Sequence, residues 1–214
     1  FFSAILAVPV FFFFFSNTDA AAGLKEALTR GAEVAVSQLG KHDGFMGDSR
    51  VKIPLPDSIR KGEKLMRTLG GGKYADELIE TMNRAAESAV VEARPILVNA
   101  VKHMSFDDAR GMLTGVDDAA TRYFQRTTTD ELTKKFLPIV KQATAKVKLA
   151  DKYNQYAGKA AKLGAIDQKD ADLDQYVTHK ALDGLFLMVA EQEKAIRKDP
   201  VSTGSNLLKK IFGH

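Results

Sequence analysis

The densest grouping of reactive side chains lies between Ser105 and Thr128, in the string SFDDARGMLTGVDDAATRYFQRTT. It holds two Asp-Asp pairs, 107/108 and 117/118, with Arg110, Arg122 and Arg126 close by and Tyr123 and Phe124 between the last two arginines. Carboxylates beside guanidinium groups and a phenol suit two kinds of chemistry. Asp117, Asp118, Arg122 and Tyr123 could serve a hydrolase-like enzyme if the two acids converge on a cleft and one carboxylate is perturbed. Arg122, Arg126 and Tyr123 could instead line a polar pocket for an anionic ligand, because guanidinium forks make strong charge-assisted bonds to such groups. A second polar set, Asn83, Arg84 and Glu87, could face that pocket from a preceding helix. Structural readings stand beside these. Acids near helix starts favour the positive dipole end, Asp118 and Arg122 are spaced for an i,i+4 ion pair, and Asn83, Arg84 and Glu87 could form an exposed face opposite an Ala/Met stripe.

Other chemistries lack their residues. The chain has no Cys, which removes disulfides, thiolate metal sites and Cys nucleophiles. His42, His103, His179 and His214 show no i,i+4 pair and no ligand spacing with an acid, so no metal site is expected. The acids do not follow an EF-hand order. Gly70-Gly71-Gly72 reads as a turn, since no G-x-x-x-x-G-K-[ST] pattern accompanies it. There is no G-x-S-x-G string, and no cofactor is expected.

The formal charge of +4 is unevenly spread. Between Lys134 and Lys169 nine lysines stand against two acids, Asp151 and Asp167. Such a run can be a solvated helical face, or a surface for an anionic ligand, lipid headgroups or an acidic protein. The run has no Arg, so bidentate base or phosphate recognition is poorly served and nucleic acid is not an expected partner.

The elements that must position these groups read as helices throughout. No segment alternates at period two, and no fixed-length repeat is present. A first helix starts after Ser16, Asn17 or Asp19 and carries Leu24, Leu28, Ala35 and Leu39 to a stop at Gly40. Lys41 to Pro56 is a connector, extended at VKIPLP because residues before Pro avoid the helical region. Asp57 opens a second helix with Ile59, Met66 and Leu69. The strongest pattern runs from Tyr74 to Met104 and should kink or split at Pro95. Ser105 and Asp108 resemble a capping box opening a short helix to Leu113. Asp117 and Asp118 fall in the first turn of another helix, which ends near Thr127-Thr128-Thr129. Thr129 or Asp130 caps the next, bearing Leu132, Phe136, Ile139, Val140, Ala143 and Val147, with a bend at Pro138. A lysine-rich helix, Lys152 to Leu163, places Tyr153 and Tyr156 on one face, suiting a membrane interface, a carbohydrate or simple anchoring to the body. A long helix from Asp170 or Asp172 to Lys198 has an all-round apolar middle, GLFLMVA, which belongs in the core. The expected fold is an all-α single bundle of about eight helices spanning residues 16–214.

Phe1 to Phe15, FFSAILAVPVFFFFF, carries no charge. As a helix it would extend roughly 22 Å, short of the ~30 Å hydrocarbon core of a bilayer. It reads as a signal-like segment, which implies an exported protein. The alternative is a hydrophobic arm packed on the body or on a neighbouring subunit. With the C-terminal LLKKIF turn it could then join a homo-oligomer.

The strings NTDAAAGLKEAL, VKIPLP, ADELIETMNRAAE, LTGVDDAATRYFQRTT, LTKKFLPIVKQATAKV and KALDGLFLMVAEQEKAIRKDPVSTGSNLLKKIFG resemble the bacterial family catalogued as domain of unknown function 4197. The resemblance covers about Asn17 to Gly213. It implies an exported, all-helical protein of a Gram-negative-type bacterium, periplasmic or envelope-associated. It implies no activity and transfers no catalytic residue. The function expected is therefore that of a non-enzymatic envelope protein that binds a partner or an anionic ligand.

Overall fold

A computed structural model describes residues 17–70, 72–147, 150–151, 153–154, 162 and 171–199. Seven helices fall within them: α1 (Asn17–Gly40), α2 (Asp57–Thr68), α3 (Gly72–Val90), α4 (Ala93–His103), α5 (Phe106–Thr114), α6 (Ala119–Thr144) and α7 (Leu173–Lys198). No strand occurs among the described residues. The fold is all-α, as the periodicity predicts. Phe1 to Phe15, most of the lysine-rich helix with Tyr156, and the C-terminal turns lie outside the described residues.

Local chemistry sets most of the boundaries. Pro95 has no N–H to return to the carbonyl of Val91, and its ring would press on that group. The Tyr74–Met104 pattern accordingly divides into α3 and α4 across a turn at Val91 and Glu92, closed by Glu92 N donating to Ala89 O at 3.1 Å. The Ser105 hydroxyl accepts Asp108 N at 3.0 Å and starts α5. Asp172 accepts the N–H groups of Asp174 and Gln175 and starts α7.

Three expectations need correcting. α6 runs unbroken through Thr127, Thr128 and Thr129. Their hydroxyls donate to Tyr123 O, Phe124 O and Gln125 O, at 2.8, 2.6 and 2.6 Å, so each is satisfied one turn back without breaking the helix. Asp117 and Asp118 precede α6, which opens at Ala119 with no acid in its first turn. Leu69 lies beyond the end of α2 and is 77% exposed, not part of a buried stripe.

One core draws on α1, α3 to α7 and the connector, while Ile59 of α2 packs against it half-buried. α6 packs most extensively on α7 and α3, and α1 lies against α7 and α4. The stripe Leu78, Met82, Ala85, Ala89, Ala93 and Ile96 is buried throughout. In the GLFLMVA segment, Leu185, Phe186, Met188 and Val189 are buried, whereas Leu187 is exposed. Burial of the rest is the main favourable term holding α7 at the centre of the bundle.

Candidate functional site

The residues singled out between Ser105 and Thr128 meet separate partners. Asp117 is exposed, and Asp118 accepts Arg122 Nε at 2.8 Å in an exposed i,i+4 ion pair. Arg126 reaches Asp108 at 3.5 Å and lies over the Tyr123 ring, 5.7 Å from its centroid. Tyr123 itself is buried, and its hydroxyl donates to Ala100 O on α4 at 2.9 Å. Burial raises the phenol above its ordinary range, and the Asp108 charge adds to the effect. Tyr123 thus joins α6 to α4, with Arg126 covering its ring.

The second set lies elsewhere and has another task. Asn83 and Glu87 are buried, at 0% and 5% exposure, so they do not belong to an exposed face of α3. They hold the α1–α2 connector. Asn83 Oδ1 accepts Ile53 N at 2.8 Å, and its amide donates to Ile53 O at 2.9 Å and Ile79 O at 2.8 Å. One Glu87 oxygen accepts Phe45 N and Met46 N, both at 3.1 Å. The other accepts Arg84, which also reaches Asp43 at 2.8 Å. Arg84 thereby holds the Asp43 carboxyl below its ordinary range. Tyr176 on α7 completes the attachment by donating to Pro54 O at 3.0 Å.

The connector so braced walls a cleft of about 500 Å³ with the end of α1 and with α7; Lys41, Asp43, Asp48, Arg50, Met188 and Glu191 are among its lining residues. Arg50 closes one side. It bonds Asp48 at 2.6 and 2.9 Å and Glu191 at 2.6 and 2.7 Å. The Arg50 side chain and backbone N–H together hold the Asp48 carboxyl down to about 2. Phe45 anchors the connector from beneath, and a Cβ at Gly184 would stand 2.7 Å from its ring. Gly184 is therefore the residue that lets the ring reach α7.

Two buried acids on α7 escaped the sequence reading. Glu193 accepts Ala120 N at 3.0 Å, and Thr121 N and Oγ1 at 2.8 and 2.7 Å. It caps α6 in place of Asp117 and Asp118. Arg197 neutralises it at 2.9 Å and donates to Met112 O and Val116 O, both at 3.0 Å. Asp174 accepts the Thr144 hydroxyl where α6 and α7 meet. Burial pushes its carboxyl upward, opposed by Thr144. The only signal in the sequence was an acid on the face of a helix that is otherwise apolar.

Along the C-terminal part of α6 and the turn after it, Lys134, Lys135, Lys141 and Lys146 are exposed. None forms an ion pair with a carboxylate among the described residues. The rest of the lysine run lies mostly outside those residues. Tyr153 is buried, with its hydroxyl 3.2 Å from Ser58 Oγ. His42 sits 3.2 Å from Asp43, and His103 Nδ1 lies 2.9 Å from Asn99 O. Among the described residues no three His, Asp or Glu side chains gather to hold a metal ion.

Fold and surface together define an all-α bundle whose buried polar groups fasten a connector and two helix junctions. The chain belongs to the family described as "Protein of unknown function (DUF4197)", whose model matches residues 15–213. No curated protein and no solved structure matches it.

Proposed function

We propose that this protein is a non-enzymatic, exported protein of the cell envelope that docks on an anionic lipid surface through the lysine-bearing face of α6. The carrying observation is that Lys134, Lys135, Lys141 and Lys146 are exposed and that none forms a close ion pair with a carboxylate among the described residues, although the Lys141 charge is felt at Asp174. Lys134, Lys135 and Lys141 lie within α6, where the helix rises roughly 10 Å from the first to the last, and Lys146 stands in the turn just past its end. Compact, mobile ammonium charges suit a diffuse field of headgroups better than a single planar ligand. The uncharged Phe1 to Phe15 stretch supports export, being signal-like in length and composition. No helix among the described residues is long and apolar enough to cross a membrane, which fits attachment from the side.

Each lysine near an anionic surface contributes about 1 kcal/mol. Replacing all four by Gln should weaken binding of the full chain to phosphatidylglycerol-containing vesicles by at least about tenfold, while circular dichroism stays unchanged. Co-sedimentation measures it. Equal binding to purely phosphatidylcholine vesicles, or binding undiminished by the four substitutions, would overturn the reading.

A further inference from the structure

Arg94 stands apart from the other arginines. Arg30, Arg50, Arg60, Arg67, Arg84, Arg122, Arg126 and Arg197 all form ion pairs, and Arg110 also has a partner. Arg94, exposed in the first turn of α4, bonds no side chain among the described residues. Its position explains why this matters. It lines two adjoining clefts, about 460 and 660 Å³, between α1, α4 and α6. Glu33 of α1 is the other residue common to both clefts. The two opposite charges thus share one groove, yet they do not pair. The larger cleft repeats the pattern: Glu92, Glu131, Lys102 and Lys135 also line it, and none has an ion-pair partner among the described residues.

Exposed ions of opposite sign on flexible side chains usually have little to gain from pairing. The arginines elsewhere nevertheless find partners, and Arg94 does not, although Glu33, Glu92 and Glu131 line the same groove. Val34, Pro95, Ile96 and Val98 add apolar lining to the groove. Its size is that of a small-molecule site, about 300–1,000 Å³. A purely anionic ligand would meet the three glutamates, and a purely cationic one would meet Arg94 and the two lysines. A ligand carrying both signs satisfies both sets. A planar carboxylate matches the Arg94 fork, an ammonium matches Glu33, and short apolar side chains match the apolar lining.

We infer that the α1–α4–α6 groove binds a small amphoteric molecule of the short-peptide class, with its carboxylate on Arg94 and its ammonium on Glu33. This site differs from the lipid-facing surface in what it recognises, although Lys135 borders both.

Three probes separate the charges: trialanine, its C-terminal amide and its N-acetyl derivative. Titrated into the full chain by calorimetry, trialanine should bind, and the amide and the acetylated peptide should each bind at least about tenfold more weakly. Arg94→Gln should reduce trialanine binding to the level of the amide and leave amide binding unchanged. Glu33→Gln should do the same with respect to the acetylated peptide. Both side chains lie on the surface, and unchanged thermal unfolding of the variants confirms that the fold is intact. Absence of trialanine binding at millimolar concentration, equal binding of all three peptides, or indifference to both substitutions would overturn the inference. None of these outcomes bears on vesicle binding.

Discussion

A buried carboxylate is costly unless its surroundings return what water supplied. Glu87 meets that requirement with two backbone N–H groups and a guanidinium. Removing it leaves Phe45 N and Met46 N without an acceptor and frees one side of Arg84. Glu87→Ala should lower stability by about 2–4 kcal/mol, read from urea unfolding, and Glu87→Gln by less because it retains an acceptor. Asp174 tests the opposite case. Burial, assisted by the charges of Asp172 and Asp151, raises its carboxyl, while Thr144 and Lys141 act against the rise. The folded protein therefore holds this proton more tightly than the unfolded chain does. Its contribution to stability is greatest below the ordinary carboxylate range and falls as pH rises through that range to the raised native value. Asp174→Asn keeps an acceptor for Thr144 and removes the titration. It should raise the melting temperature at neutral pH, with the gain shrinking on acidification to about pH 3; thermal unfolding across that interval measures it. Residue types made Asn83 and Glu87 worth naming from sequence alone, but their partners were illegible. Phe45 and Glu87 are 42 residues apart, and no periodicity encodes which backbone amides a carboxylate will meet.

At the scale of elements, the sequence was informative wherever a boundary is local. Pro95 splits a helix and Ser105 starts one because the governing atoms lie within four residues. It misled wherever the cap is distant. Asp117-Asp118 looks like a helix opening, yet the N–H groups of Ala120 and Thr121 bond Glu193 from α7. The threonine run looks like a stop because threonine favours caps and turns. Within α6 the hydroxyls bond back to their own helix, and the packing of Phe124, Leu132 and Phe136 decides the outcome. Glu193→Ala should accelerate amide hydrogen exchange at Ala120 and Thr121 more than at Phe136 or Val140, at a cost of about 1–3 kcal/mol. Uniform acceleration along α6 would show that the carboxylate does not act as a local cap.

For the whole molecule, the division between an apolar interior and a charged exterior was plain from the sequence, but the use of each charge was not. Arginines other than Arg94 find partners, while the lysines of α6 remain exposed. Vesicle binding by those lysines should weaken steeply between low salt and about 0.5 M, because screening shortens the Debye length from about 10 Å at 0.1 M toward 3 Å at 1 M. The melting temperature should change little over the same range, since the interior contributes most of the stability. The placement of Glu193 also bears on the order of assembly. α6 receives its cap from a residue 73 positions later in the chain, and α7 lies at the centre of the bundle. A polypeptide emerging with its N-terminus first can form its early helices, but it lacks the piece that closes them together. Completion waits for α7, so the chain stays open to capture, threading or cleavage until that helix has been made.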